Sequence, residues 1–464
     1  MFQTPPAGCV VEVCLGGAGD LKNWVSFCVV QGVEASARMA GRAPFNLVRG
    51  SGTGTWLILI FSVCSALVDW RIAEVWHWPA GFCALWLVAT IVLVAAPAGL
   101  PGLREAAAVI ATVSLYAVPI LGGIVRWHLS PASTLIGDGS YQIQLARNVL
   151  LSGRDPYGFD YSATGLERAP WNQPFPNPAL HHLDYWPGTI VLPLPLHAFF
   201  QWLFGWWDER LWLLVAGVAL WVSIRKLFPG EWGRVAAAVL FLLPGHSLLA
   251  VLGDNDLPML ALVVLTIAAA CRGRFLLAGL CLGLAIATKQ TTLIVVPLLV
   301  AFAMARGLRG RSLILSAGVS AAAVLALLLP FVAWNPPAFI TDTISYNLGS
   351  GREAYPIQGL GLSAWLLHTG VIHGARDPFP FVLIQAPVLL LITALGIRHM
   401  WARPRPAVAL VWCGLAWFGF LFLNRFFQPT YLLLSAEVVL TALLVGFPRS
   451  PAEHALAVAS NRAA

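Results

Sequence analysis

The sequence predicts an all-α, polytopic integral membrane protein with a large outer first loop. Three observations predict it. First, 58% of the residues are hydrophobic and the mean hydropathy is +0.77. Second, only 11% are charged, against about 25% in soluble globular domains. Third, a dozen apolar runs alternate with short basic loops, and a span needs roughly 20 residues, so the chain accommodates about 12 crossings (roughly 11 to 14). A water-soluble enzyme, a disordered chain and a secreted disulfide scaffold are excluded. The net charge of +7 resides in inter-helix loops, which reads as topology rather than as a nucleic-acid surface.

The runs are 56–68, 78–95, 106–125, 211–224, 235–251, 257–270, 275–287, 291–305, 313–332, 379–395, 407–423 and 430–445. Two more apolar stretches, 186–204 with Pro187, Pro193 and Pro195, and 361–373, read as re-entrant or interfacial. With twelve crossings, Arg225, Lys226 and Arg234, then Arg272 and Arg274, then Arg306, Arg309 and Arg311, then Arg398, Arg403 and Arg405, and Arg449 all fall on the cytoplasmic side. Segment 1–49 lacks a continuous apolar core and a small-residue cleavage site, so it reads as a cytoplasmic or disordered N-terminal segment, with Met39 as another possible start. The multi-pass domain occupies 50–450, with the outer loop and re-entrant segment at 126–210, and 451–464 form a cytoplasmic tail. The eight cysteines form no CxxC pair and mark neither a disulfide framework nor a zinc site.

Twelve of the 21 acidic residues gather on the outer face, among them Asp138, Asp184, Asp254, Asp256 and Asp342. Insertion barely constrains acids, so their gathering points to a functional surface. In the long loop, Tyr141, Leu145 and Val149 recur at helical spacing with Ile143, Ala146 and Leu150, giving a broad apolar face that should lie in the interface plane, with Gly153 as its stop. Asp138 then has two readings: N-cap of this helix, bonded to the N–H of Ser140 or Tyr141, or a carboxylate placed to take a proton from an acceptor hydroxyl.

Asp138-x-x-Tyr141, Ala146, Leu150-Leu151, Gly153 and Asp155-Pro156-Tyr157 resemble the first outer loop of GT-C-class glycosyltransferases, and family 87 is the nearest pattern. Tyr185-Trp186-Pro187, Gly253-Asp254-Asn255-Asp256-Leu257-Pro258, Gly279 and Gly283 with Lys289-Gln290, and Asn424-Arg425-Phe426-Phe427-Gln428-Pro429 follow in the family's order, with Gly188 where a second Pro is usual. The resemblance implies a GT-C-like fold in a bacterial inner (plasma) membrane, with the active site extracytoplasmic. It implies transfer of a hexose or pentose, mannose-like, from a polyprenyl-phosphate donor to a cell-envelope lipid or glycan, with Asp138 as base and inversion at the sugar carbon.

Phosphate is already a competent leaving group, so the minimum is one base and cations on the leaving oxygens. Lys289 and Arg425 are the expected phosphate ligands, with Arg352 a third. Tyr141, His182, Asp184, Tyr185, Asp254, Asp256 and Gln290 are expected around the substrates. Asp256 also suits capping of the helix at Leu257-Pro258. Adjacent His181 and His182 point in different directions, so no metal site is read there. No cofactor is implied, and a divalent ion held by Asp254, Asp256 and Asp138 stays an open alternative. So do two other functions, a flippase for lipid-linked sugars and an O-antigen-type polymerase or ligase.

Overall fold

The computed structural model describes residues 53–76, 101–129, 136–169, 171, 176–349 and 355–446. Segment 1–49, the run 78–95, Arg352 and the tail 451–464 lie outside the described residues.

Each of the other eleven apolar runs falls on a helix. In order these include Thr53–Trp76, Pro101–Thr112 continuing through a π segment Val113–Ala117 into Val118–Leu129, Arg210–Leu227, Glu231–Phe241 with His246–Leu252, Asp256–Cys271, Phe275–Thr288, Val296–Ala305, Gly310–Trp334, Val382–Ala402, Pro406–Phe422 and Pro429–Gly446. Among the described residues, four helices are long and apolar enough to cross a membrane: Gly102–Leu129, Gly310–Trp334, Val382–Ala402 and Pro429–Gly446. The run expected as one helix over 235–251 is instead bent by 54° between Phe241 and His246, where Pro244 and the left-handed Gly245 interrupt the hydrogen-bond ladder. Several other helices are only 10–17 residues long.

Packing rests on small residues. A Cβ on Gly279 or Gly283 would run into the backbone oxygens of Ser316 and Ser320, so Phe275–Thr288 lies backbone to backbone against Gly310–Trp334. The outward faces of Gly310–Trp334 and Val382–Ala402 carry Leu325, Leu329, Leu390 and Leu391 in the open, as a lipid-facing wall requires.

The two ends of the bundle differ in chemistry. At one end the basic loops meet, Arg272 donating to the Lys226 carbonyl and Arg306 to the Cys271 carbonyl. The other end carries Asp138, Asp184, Asp254, Asp256 and Lys289, joined by the contacts described below. There the long loop builds a second small core of Ala146, Tyr157, Tyr161, Leu183 and Ile190 against Phe331 and Phe339.

The loop helix forms where expected, Asp138–Leu151, and ends at Ser152 with Gly153 left-handed at φ 78°. Its setting differs from the interfacial one expected. Polar residues are buried along with the apolar Ile143 and Ala146: Gln142 is 1% and Arg147 0% exposed. Arg147 pairs with Glu209 and donates to the Ile190 carbonyl at 2.9 Å. A guanidinium can be withdrawn from water only when so paired, and this pairing ties the loop helix to the start of Arg210–Leu227.

The proline-rich stretch becomes two short helices, Pro187–Val191 and Leu194–Phe204. Gly188 has a reason to be glycine, because a Cβ there would sit 2.5 Å from the Ala287 backbone. The helix pair therefore docks directly on the turn that carries Lys289.

Candidate active site

Asp138 is the first residue of its helix. Gly137 occupies the N-cap position and supplies no side chain, so the capping reading of Asp138 is corrected. Its Oδ1 accepts from its own neighbour, the Gly139 N–H, at 2.9 Å, rather than from Ser140 or Tyr141. The carboxylate still gains from the positive end of the helix. Oδ2 accepts from Asn177 Nδ2, also at 2.9 Å. Burial pushes the Asp138 carboxyl above the ordinary aspartate range, and the two hydrogen bonds oppose that rise.

The helix start is anchored on the turn before Asp256–Cys271. Gly137 N–H donates to the Leu252 carbonyl at 2.6 Å, and Ser140 Oγ donates to the Gly253 carbonyl. Gly139 leaves room for Tyr185: a Cβ there would land on the Tyr185 hydroxyl and lie 3.8 Å from Asn255 Nδ2. Tyr185 in turn hydrogen-bonds the Asn255 side chain. The Asp155-Pro156-Tyr157 motif braces this arrangement, since the Tyr157 hydroxyl donates to the Tyr185 carbonyl at 2.8 Å.

Lys289 arrives from the opposite side. The helix Phe275–Thr288 stops there because Lys289 is extended, at φ −149° and ψ 127°, before a 3-10 turn over Gln290–Ile294. Its Nζ donates to Asn255 Oδ1 at 2.7 Å and to Asp256 Oδ1 at 2.5 Å, and stands 5.6 Å above the Tyr431 ring. Asn255 thus touches both Lys289 and Tyr185, and Tyr185 packs on Gly139 beside Asp138. Asp184 stands in the field of both Lys289 and Asp138, its carboxyl pushed up to about 6 by burial, with Lys289 opposing and Asp138 and Asp342 adding to the rise. Gln290 donates to the Asp184 carbonyl at 3.1 Å.

A profile of glycosyltransferase family 87 matches residues 185–457, more than half of the chain. The chain belongs to glycosyltransferase family 87. The matched region begins at Tyr185, so it contains Lys289, Asp254 and Asp256 but not Asp138 or Asn177. A crystal structure of ArnT from Cupriavidus metallidurans bound to undecaprenyl phosphate is similar over 71% of this chain, at 16% identity and a TM-score of 0.43. The likeness spans 59% of that chain. No curated protein matches.

Other expected residues of this family 87 chain have different employment. Asp256 does not cap its helix. It is the first helical residue and pairs with Lys289, while Asp254 Oδ1 accepts the Asp256 N–H at 3.2 Å. Burial and the neighbouring Asp256 raise the Asp254 carboxyl. Tyr141 makes its contacts along the loop, edge-on to Trp127 at 5.5 Å between centroids. His182 Nδ1 lies 2.9 Å from Asp342 Oδ1 and its ring stacks on Tyr346. His181 turns the other way, 3.4 Å from Asp160. Among the described residues no group of three or more His, Cys, Asp or Glu is arranged to hold a metal ion.

Arg425 is the largest departure. It is 1% exposed, and all three guanidinium nitrogens donate to main-chain carbonyls: Nε to Tyr355, Nη1 to Asp377 at 2.8 Å and Nη2 to Ala375 at 3.0 Å. Its neighbour Phe426 adds a short parallel pairing with Gln358. Arg425 therefore clamps the 355–377 segment. That segment delivers Tyr355, whose hydroxyl accepts from Gln358 at 2.8 Å and stands in the field of Asp138 and Asp184.

Three contributors escaped the sequence reading: Asn177, Asn255 and Tyr355. Asn255 lay inside a motif already singled out, between two acids. Asn177 had only a local signal, an Asn before Pro178 that suits the start of a helical turn.

Proposed function

We propose that the chain is a multi-pass membrane glycosyltransferase that moves a hexose or pentose from a polyprenyl-phosphate donor to a lipid or glycan of the cell envelope. The reaction runs at the outer face of a bacterial inner membrane, the face that carries Asp138. The observation that supports this most is the continuous contact from Asp138 through Gly139, Tyr185 and Asn255 to Lys289. In this reading it joins one base and one cation in a single site, at the end of the bundle opposite the basic loops.

In this reading Asp138 takes the proton of an acceptor hydroxyl. The freed oxygen attacks the anomeric carbon as the bond to the phosphate oxygen breaks, which inverts the carbon. The departing polyprenyl phosphate gains a negative charge, and Lys289 answers it. An ammonium has three N–H donors. Two are committed to Asn255 and Asp256, and the third is available to a phosphate oxygen. The elevated proton affinity of Asp138 suits a base that must hold the proton through the step. Asp184, Tyr185 and Gln290 line the sugar side of the pocket. Arg425 acts at one remove by holding the segment that bears Tyr355.

The test is transfer of labelled sugar in purified membranes from undecaprenyl-phosphate mannose and undecaprenyl-phosphate arabinose. Asp138→Asn is expected to leave insertion and abundance intact and to abolish the covalent product. Full activity in that variant removes Asp138 from the mechanism. Movement of donor across vesicles without any covalent product replaces the enzyme reading with a flippase.

A further inference from the structure

Asn177 is buried, 6% exposed, a few residues ahead of Asp184 and Tyr185 in the chain. Its amide is used at both ends. Oδ1 accepts the Ala179 N–H at 2.9 Å, as cap of the turn Pro178–Leu180. That bond settles which way the amide faces, because the opposite orientation would set two donors against each other. With Oδ1 so held, Nδ2 can only point the other way, and there it donates to Asp138 Oδ2.

We propose that Asn177 is a positioning residue, holding the Asp138 carboxylate in the rotamer and ionised state from which it takes the acceptor proton. The inference rests on the reading of Asp138 as base. The Gly139 N–H holds one oxygen from within the helix, but a single bond leaves the carboxylate free to turn about it. The second bond, from an element 39 residues away, removes that freedom. An amide donor also stabilises the ionised form without adding charge. A cation in the same place would form a salt bridge and lower the basicity more. Asn177 therefore tunes the base instead of neutralising it. The titratable groups facing Asp138 from other elements are Asp184, Tyr185, Tyr346 and Tyr355, with Lys289 acting on Asp184.

Two variants separate tuning from folding. Asn177→Ser retains a good cap for the 178–180 turn but is too short to reach Asp138. Asn177→Asp also retains the cap acceptor but turns an oxygen toward the carboxylate. Loss of a hydrogen bond to the charged form moves the titration of Asp138 upward. Asn177→Ser is therefore expected to shift the acid limb of kcat up by about one pH unit, a tenfold loss below it and little loss above, with donor KM unchanged. Asn177→Asp is expected to lose more than Asn177→Ser at every pH. A donor-independent readout is the carboxyl band of Asp138 in infrared difference spectra of wild type against Asp138→Asn. Its midpoint must move up in Asn177→Ser.

Reduced abundance with an unmoved acid limb and an unmoved midpoint overturns the inference and leaves a purely structural Asn177. Transfer retained by Asp138→Asn overturns the base reading instead. An inactive Asp138→Asn with an unmoved limb in Asn177→Ser sinks the Asn177 role alone.

Discussion

Lys289 and Asp256 form an ion pair, 2.5 Å from Nζ to Oδ1, with side chains only 11% and 4% exposed. Such a pair does two jobs that a single substitution confuses. Removing one partner of a buried pair strands the other charge and costs about 3–5 kcal/mol, whereas removing both is often neutral. Lys289→Met alone is expected to lower thermal stability strongly, and Lys289→Met with Asp256→Asn to recover most of it. Neither is expected to transfer sugar, because the phosphate loses its cation. A double variant that is stable and active would separate Lys289 from the donor.

The acid near Lys289 supplies a pH test. Asp184 is pushed up to about 6, above the ordinary aspartate range, because burial disfavours the charge. A group whose folded value is raised adds stability at low pH and loses it as pH rises through the folded value. Asp184→Asn mimics the protonated form. The melting temperature of Asp184→Asn minus wild type is expected to be near zero below about pH 3.5, to grow mostly between about pH 4 and 6, and to level off at a few degrees by pH 7.5. A difference that is constant with pH would mean that Asp184 does not titrate in this window.

Arg425 is expected to behave as a structural residue. Arg425→Lys offers one compact ammonium where three separate carbonyls are now met, and a point charge cannot span them. Hydrogen exchange over 355–377 is expected to accelerate by at least tenfold in Arg425→Lys, with wild-type exchange around Lys289. Donor KM should change less than for Lys289→Met. The reverse order of KM effects would return Arg425 to the phosphate.

The proposed orientation puts the acid-rich end outside. Ser162→Cys, on the exposed part of the long loop, is expected to react with an impermeant maleimide in intact spheroplasts. Arg309→Cys, exposed at the basic end, is expected to react only after lysis. The opposite labelling pattern would put the pocket in the cytoplasm.

Hydrophobic run length was enough to find helices, since a chain so poor in charge can bury its backbone polar groups in few other ways. Eleven runs landed on helices for that reason, and Gly153 marked a helix end because few other residues accept its backbone angles. Asp138, Lys289, Asp184 and Tyr185 were also visible, as polar residues at helix breaks. What a polar residue faces is a different matter. Arg425 and Lys289 look alike in sequence, each a cation at the edge of an apolar helix. One met three carbonyls and the other a carboxylate and an amide. The same holds for Arg147, on the loop helix expected at the interface and found paired inside, and for Asn177, whose reach to Asp138 spans a loop. Those partnerships depend on side chains brought together by packing of distant segments, and local pattern carries no information about them. The sequence alone therefore determined the helical membrane architecture and the residue types at its polar end. Only the tertiary structure decided which of those residues share a pocket, because that depends on long-range contacts rather than on periodicity.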